Sequence, residues 1–193
     1  MIIGVTGSIG AGKSSFAAAL VEEIGRSRGP AVLFDADRVA REVLQEQLQL
    51  IAAEFGKDII GADGAPDRAR IAERAFRDEE SAGKLNSMIH PGVYARARVE
   101  LDALRDRNAA VILDVPLLFE SGMNELCDVV FAVTADDERR RKRAEKFGDV
   151  RARERFQWSQ AAKAARADVV ISNDGSLEEL RAKIPQAIEK IFS

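Results

Sequence analysis

The strongest chemical signal in the chain is a glycine-rich stretch near its start, residues 7–14. It fits the pattern G-x-x-x-x-G-K-[ST] in full, which is typical of loops that hold phosphate chains. Its glycines permit backbone angles closed to other residues, so successive N–H groups can point at one anion. Lys13 supplies a positive charge for the outer phosphates, and Ser14 supplies a hydroxyl ligand for Mg²⁺. The predicted phosphate contacts are Ser8, Gly10, Ala11, Gly12, Lys13, Ser14 and Ser15.

The alternative for this stretch is a glycine-rich turn with an incidental lysine. Given average glycine usage, a chance match is expected on the order of 1% per chain. The stretch also lies after a predicted strand and before a predicted helix, as the motif requires. The motif by itself does not distinguish a kinase from a GTPase or an ATPase.

Two aspartates follow the second predicted strand of the chain. Asp35 and Asp37 lie at its carboxyl end, which in open α/β sheets faces the ligand crevice. A small-molecule kinase needs a carboxylate that orients the acceptor hydroxyl and accepts its proton. We predict Asp35 as this base, because it lies closer to the strand, and Asp37 as the second candidate. Asp37 has an alternative role as the cap of a helix that starts at Arg38.

A third aspartate, Asp114, lies near the end of the apolar run Val111 to Val115. In P-loop proteins an aspartate at this place holds Mg²⁺, usually through water. The pattern therefore predicts a metal site made by Asp114 and Ser14. A loop aspartate satisfied by neighbouring N–H groups is the alternative.

A strongly basic segment follows between Arg139 and Arg155, with nine basic and three acidic residues. Such a run is typical of a nucleic-acid patch, of a lid that closes over phosphates, or of a solvated helix face. Arg139 and Arg143 are four residues apart and share one face of a helix. We predict a lid at about 139–157, in which these two arginines neutralise charge on the transferring phosphate.

The elements that must position these residues alternate between strands and helices. Short apolar runs that predict strands are Ile2 to Thr6, Ala31 to Phe34, Val111 to Val115, Val129 to Val133 and Val169 to Ser172. Helical periodicity follows the first of them, from Lys13 to about Ile24, and Gly25, Gly29 and Pro30 are expected to end the helix. Further helices are predicted from about Asp136 to Lys146 and from about Ser176 to Ile191, the latter interrupted by Pro185. This alternation predicts an α/β fold whose parallel sheet is covered on both faces.

No strand pattern appears between about Val39 and Asn108. The segments Val39 to Phe55, Arg68 to Phe76 and Val93 to Leu104 predict helices, separated by glycines and by Pro91-Gly92. We therefore predict one domain whose core comprises residues 1–40 and 109–193. A mostly helical lobe is inserted at about 41–108.

Composition narrows the function classes. The 193 residues carry a formal net charge of -3, which gives no global reason to expect nucleic-acid binding. One cysteine and one histidine exclude an intrachain disulfide and a zinc site built from those residues. The sequence lacks the basic start and long apolar stretch of a signal peptide, and no segment approaches the length of a membrane span. We expect a soluble cytoplasmic protein.

Over nearly its whole length the sequence resembles the dephospho-CoA kinase family. The ordered combination of short motifs carries this resemblance, because the phosphate loop alone is shared with many proteins. The matching stretches are residues 6–14, 35–42, 55–56, 63–64, 67–68, 76–78, 89–91 and 115–122, Arg153 with Gln157, and residues 167–168 running to 173–175.

The resemblance implies transfer of a phosphoryl group from ATP·Mg²⁺ to the ribose 3′-hydroxyl of dephospho-CoA, the last step of coenzyme A synthesis. It implies a P-loop NTPase three-layer fold with an inserted helical acceptor-binding lobe and an arginine-bearing helical lid. It places Asp35 beside the acceptor hydroxyl, matches Arg143 to the lid and brings Asn173 near adenine. Matching the family's His-Pro pair implies an acceptor contact for His90, which alone would read as a structural residue at a turn.

The sequence departs from the family pattern in three places. Ser8 stands where glycine is usual, and Ser15 stands where threonine is usual. The stretch 146–149 lacks the usual Arg-Asp-Gly form. Ser14 keeps the hydroxyl expected at the metal, so the first two differences are compatible with phosphate binding.

Two rival functions remain. The first is a nucleoside or nucleotide kinase of the same fold. The second is a nucleotide switch or nucleic-acid-binding module that uses the basic segment. The absence of an N-K-x-D tetrapeptide for guanine disfavours the switch. The expected partner is therefore small-molecule dephospho-CoA, with no nucleic acid or membrane, in a monomer or small homo-oligomer.

Overall fold

The computed structural model describes residues 1–105, 109–145 and 154–192. Its centre is a sheet of parallel strands, which confirms the predicted α/β class. In space the strands follow the order β2-β3-β1-β4-β5, so β1 lies in the middle. The strands are β1 (Ile2–Thr6), β2 (Ala31–Asp35), β3 (Ala110–Asp114), β4 (Val129–Thr134) and β5 (Val169–Ser172).

The chain divides into two compact units. The first comprises Met1–Asp35 and Arg98–Ser193, and the second comprises Ala36–Ala97. The first unit contains the sheet, the helix between β1 and β2, and the helices that follow β4 and β5. These helices are α1 (Lys13–Ser27), α6 (Asp137–Ala144), α7 (Gln160–Arg166), α8 (Leu177–Ala182) and α9 (Ile184–Phe192), with a 3₁₀ turn at Met123–Leu126.

The core of the first unit forms where α1 covers the sheet. Every residue of β1 and β3 is buried, which is typical of central parallel strands that are covered on both faces. Phe16 of α1 meets Phe131 of β4 with ring centroids 5.4 Å apart. This packing fixes the start of α1 beside the end of β1, where residues 7–12 must make their turn.

The second unit is helical throughout its regular structure. It contains α2 (Ala36–Glu46), α3 (Leu48–Phe55), a 3₁₀ turn at Lys57–Ile59, α4 (Arg68–Ala75) and α5 (Glu79–Arg105) as far as Ala97. An isolated antiparallel bridge joins Ile60 to Pro66. Its buried side chains include Val39, Val43, Ile51, Ile59 and Ile71.

Some of the predicted breaks in helices were right and others were wrong. Helix α1 continues through Gly25 to Ser27 and ends just before Gly29 (φ +124°) and Pro30, two of the three residues predicted to end it. Helix α5 runs through Pro91-Gly92, where we predicted a break. The predicted interruption at Pro185 is confirmed, since α8 ends at Ala182 and α9 starts at Ile184.

The predicted helix from Val39 to Phe55 is in fact two helices, with Gln47 between them. A packing contact explains why α5 tolerates Gly92. A Cβ at Gly92 would stand 2.8 Å from Val43 Cγ1, so glycine allows α2 and α5 to approach closely. In the described part of the chain, no helix has the length and apolar character that crossing a membrane requires.

Candidate active site

The loop between β1 and α1 has the backbone that the sequence predicted. Gly10 (φ +82°) and Gly12 (φ +93°) adopt the left-handed region, which other residues rarely enter. Gly12 is the N-cap of α1, and no side chain caps this helix. The first N–H groups of a fifteen-residue helix are thus left to an external acceptor, which is the arrangement that binds phosphate.

The loop glycines are also required by space. A Cβ at Gly7 would stand 2.5 Å from the Val133 carbonyl oxygen at the end of β4. A Cβ at Gly10 would collide with the Arg140 carbonyl, and one at Gly12 would collide with the Asn173 side-chain amide. The loop is therefore held against three parts of the first unit, and its shape does not depend on the glycines alone.

At the floor of this loop, Lys13 forms an ion pair with Asp114. The Lys13 Nζ donates to Asp114 Oδ1, and the two residues are only 8% and 5% exposed. Asp114 ends β3, where it pairs with Val5 of β1. The sheet register thus brings the predicted phosphate-binding lysine to the predicted metal-binding carboxylate. Each compensates the other's charge at a depth where an unpaired charge would be costly.

Asp35 lies on the next strand. It pairs with Asp114 in the parallel register of β2 and β3, so the two Cα atoms are about 4.8 Å apart, the spacing of neighbouring strands. Asp35 is half-buried. Two carboxylates therefore end adjacent strands. The sequence predicted the two strand-end positions but not that the strands are neighbours.

The oxygen donors here suit a hard divalent cation. Ser14 is exposed on the first turn of α1, and Asp114 lies beside Lys13. Among residues 1–105, 109–145 and 154–192, no three His, Cys, Asp or Glu side chains form a metal-binding group. Mg²⁺ commonly takes one or two protein oxygens and completes its shell with water and substrate phosphates. Ser14 and Asp114 fit that pattern.

The other predicted loop residues differ in exposure. Ser8 and Ala11 are buried, and the Ala11 N–H donates to the Ser8 carbonyl at 3.0 Å, closing a turn. Ser15 is exposed on α1. Phosphate contact at Ser8 and Ala11 would therefore use the main chain, as it does in phosphate loops generally.

Asn173, predicted at the nucleotide, contacts the loop itself. Its Nδ2 donates to the Ala11 carbonyl at 2.8 Å, and its N–H donates to the Thr134 carbonyl at 2.7 Å. The side chain thereby connects the segment after β5 to the middle of the loop. The residue is buried, so the two bonds satisfy polar groups that water does not reach.

Arg143 contacts the same segment. Its guanidinium donates to the carbonyls of Asn173 and Gly175, at 2.8 Å each. Arg139, its predicted partner, is exposed in the first turn of α6. The two arginines therefore have different surroundings, although their spacing suggested one shared role. Their contact with phosphate stays a prediction.

The basic segment also contains a buried arginine that sequence reasoning missed. Arg140 is 7% exposed and donates to the Ile9 carbonyl of the loop at 3.1 Å. It also pairs with Asp137 and with Glu154. Nothing in a run of nine basic residues marks which one is buried.

The centre of the predicted lid lies outside the described residues. It includes Lys146, Gly148, Arg151 and Arg153.

Asp37 and His90, the predicted acceptor contacts, belong to the second unit. Asp37 is exposed in the first turn of α2, which starts at Ala36. The helix therefore does not begin at Arg38, as the capping alternative required. His90 is half-buried within α5 and not at a turn. Both roles remain predictions.

A second buried lysine, also missed, lies close to the site. Lys163 of α7 is 1% exposed, forms an ion pair with Glu120 at 3.0 Å and donates to the Pro116 carbonyl. Burial lowers the pKa of Lys163, and the positive charge of Lys13 adds to that effect, while Glu120 opposes it. No sequence pattern marks Lys163 as buried, because a lysine in an alanine-rich helix usually faces solvent.

Comparison with known proteins gives one consistent family. The sequence profile of the family described as dephospho-CoA kinase matches residues 1–179. The dephospho-CoA kinase of Mycobacterium tuberculosis is 45% identical over 186 residues, which cover 92% of this chain and 44% of that protein. That of Streptomyces avermitilis is 40% identical over 190 residues, covering 94% of this chain and 89% of that protein.

A solved structure shares the fold. The crystal structure of TT1252 from Thermus thermophilus superposes with a TM-score of 0.75 at 33% identity, covering 98% of this chain and 97% of that one. The present chain thus spans less than half of its mycobacterial relative but nearly the full length of other relatives. The match of sequence and fold over most of the chain leads to one assignment: this chain belongs to the dephospho-CoA kinase family.

Proposed function

We propose that this chain transfers the γ-phosphoryl group of ATP to the ribose 3′-hydroxyl of dephospho-CoA, releasing ADP and coenzyme A. The observation that carries the proposal is the buried pair of Lys13 and Asp114 beside the uncapped start of α1. It supplies a cation for phosphate, and an oxygen ligand for a metal, at the end of the central strands. Family membership supports the choice of acceptor.

In the proposed reaction, main-chain N–H groups of residues 7–14 and the Lys13 ammonium hold the triphosphate. Ser14 and Asp114 would hold Mg²⁺, which neutralises phosphate charge when bound. For this, Lys13 exchanges its carboxylate partner for a phosphate oxygen. The acceptor oxygen attacks the γ-phosphorus while its proton passes to Asp35, and the bond to the ADP oxygen breaks.

The remaining assignments concern the transferring phosphate, the adenine and the acceptor. Arg143 and Arg139 are proposed to spread the charge of the transferring group, and Asn173 to lie near adenine. The contacts of Arg143 with Asn173 and Gly175 support a place for it next to the nucleotide loop. Asp37, the second candidate for the base, is proposed as an acceptor contact from its place after β2, and His90 from the family resemblance. Most of the rate enhancement would come from positioning and electrostatics.

A coupled ADP-release assay tests the proposal. Dephospho-CoA is compared with adenosine, AMP and dCMP at equal concentration, with ATP and Mg²⁺ present. We expect dephospho-CoA to give the highest kcat/KM by orders of magnitude and the product to carry a new 3′-phosphate. Preference for AMP or dCMP would instead support the nucleotide-kinase alternative.

The same preparation tests the expected partners. Acceptor-independent hydrolysis combined with strongly salt-dependent binding of DNA or RNA would contradict the small-molecule assignment. Sedimentation distinguishes a monomer from the small homo-oligomer that we also allow. We place the enzyme in the cytoplasm, where its nucleotide substrate is available.

A further inference from the structure

Lys163 is a buried charge for which the proposed reaction has no use. Its side chain is 1% exposed, in the middle of α7. Burial of an ammonium group is costly unless ion pairs and hydrogen bonds compensate it. The contacts that compensate Lys163 therefore indicate what the charge holds in place.

Those contacts converge on one carbonyl oxygen. The Lys163 Nζ donates to Pro116 O, and the Thr6 hydroxyl donates to the same oxygen at 3.1 Å. A carbonyl oxygen has two lone pairs, so these two donors occupy it fully. Pro116 lies two residues after Asp114, and Thr6 directly precedes the phosphate loop. The shared carbonyl thus connects the two segments that carry the proposed site.

Glu120 and Gln160 fix the helix that presents Lys163. Glu120 Oε1 pairs with Lys163 at 3.0 Å and accepts the Trp158 N–H at 2.8 Å. The Gln160 side chain makes two bonds to the Ala135 main chain, at 2.8 and 2.9 Å. Pro116 follows β3 and Ala135 follows β4, and these two strands flank β1. Helix α7 is therefore bonded to both neighbours of the strand that leads into the loop.

We propose that Lys163 is a positioning residue for phosphoryl transfer: by holding the Pro116 carbonyl, it sets the place of the Asp114 carboxylate relative to Lys13. This inference rests on the proposed function, in which Asp114 and Lys13 act on the metal and the phosphate. A misplacement of about 1 Å at such a pair costs on the order of 10²-fold in rate. The effect should fall on turnover, because substrate binding uses many other contacts.

The test is Lys163→Met, which removes the ammonium and keeps most of the side-chain length. We expect kcat to fall 10- to 100-fold, as order-of-magnitude estimates, with the KM for ATP and for the acceptor within about threefold of wild type. The control is Lys183→Met. Lys183 also donates to a carbonyl at a strand end, Ser172 O at 2.6 Å, but on the edge strand β5. Its kcat should stay within about twofold of wild type.

Thr6→Val provides a second route to the same carbonyl. It removes the other donor to Pro116 O with little change in shape, and we expect a smaller fall in kcat, about threefold or more. In the double variant, the two effects should combine non-additively, since both donors act on one oxygen. Circular dichroism and thermal unfolding confirm that each variant is folded.

Three results would overturn the inference. They are a folded Lys163→Met variant with wild-type kcat, a loss confined to KM, and a fall of equal size in Lys183→Met. If Lys163→Met does not fold, an unchanged kcat in Thr6→Val has the same consequence. The kcat of each variant relative to wild type is also measured for ATP hydrolysis without acceptor. In the proposed mechanism this reaction needs Lys13 and Asp114 but not dephospho-CoA. A wrong acceptor assignment is thereby distinguished from a wrong role for Lys163.

Discussion

The two units of the chain use charge in opposite ways. Among the described residues, the buried polar or charged ones of the first unit are Thr6, Ser8, Lys13, Asp114, Arg140, Lys163 and Asn173, whereas the second unit has only Ser81. The first unit contains the buried ion pairs Lys13–Asp114 and Lys163–Glu120, whereas the ion pairs of the second unit, such as Arg74–Asp58, are exposed. Exposed pairs are screened by water and add little to stability. The difference teaches that buried charge is concentrated in the unit that carries the proposed phosphate and metal residues.

The largest expected effect is the difference in kcat between replacing a buried lysine of the first unit and replacing an exposed lysine of the second. Lys13→Ala should lower kcat on the order of 10³-fold with the fold intact, because it removes the cation proposed to meet the phosphates. Lys57→Ala, the matched change at an exposed lysine of the second unit, should leave kcat within about twofold. Steady-state kinetics with dephospho-CoA measure both. Near-normal turnover in Lys13→Ala would remove the loop from the mechanism.

The next effect concerns the proposed base. Asp35→Asn should lower kcat on the order of 10²-fold or more, with little change in ATP affinity, because it abolishes proton acceptance and keeps the shape. Asp37→Asn, across the boundary in the second unit, should have a smaller effect on kcat. Kinetics and equilibrium ATP binding check this order. A variant of Asp35 that only weakened ATP binding would show the base assignment to be wrong.

The two units can also be compared through the change in the free energy of unfolding when one glycine of each is replaced by alanine. Gly12→Ala should destabilise by about 1–3 kcal/mol, because φ is +93° there and the new Cβ meets the Asn173 amide. Gly83→Ala lies in α5 of the second unit with open space around it, and should stabilise by about 0.5–1 kcal/mol. Urea unfolding measures both. The same sign for the two variants would contradict the contrast between the units.

The smallest effect is a pH dependence in the second unit. The hydrogen bond from Arg74 lowers the pKa of Asp58 below its ordinary value of 3.8. A carboxyl with a lowered pKa stabilises the fold above pH 3.8, and the contribution is lost as the pH falls through the lowered pKa. Asp58→Asn should therefore flatten the acid limb of the stability curve slightly. Thermal unfolding between pH 2 and 6, at low and high salt, measures it. No salt dependence would mean that the pair adds nothing.

Local chemistry made part of this molecule predictable. The backbone of the glycine-rich loop was predictable because it depends on consecutive residues, and Gly10 and Gly12 adopt the left-handed angles expected of them. The strand-end positions of Asp35 and Asp114 were predictable because parallel strands bring their carboxyl ends to one edge of the sheet. The approach of Asp114 to Lys13 then follows from the strand order, since β3 lies next to β1.

What escaped prediction depends on contacts between distant segments. Lys163 and Arg140 look like surface residues until helices α7 and α6 are placed against the loop and the strand ends. The run of α5 through Pro91 likewise reflects tertiary packing, since Gly92 sits against Val43. Propensity is a weak guide wherever such packing decides.

The strand order has a consequence for how the site would come apart. The phosphate loop follows β1, a central strand that is hydrogen-bonded to a neighbour on each side. Asp35 instead ends β2, an edge strand on which Val32 and Leu33 are each 38% exposed. Edge strands open in smaller and more frequent fluctuations than central ones. Amide hydrogens of β2 should therefore exchange with deuterium sooner than those of β1. Mild denaturant should then abolish phosphoryl transfer to the acceptor, for which Asp35 is the proposed base, at a lower concentration than it abolishes ATP binding.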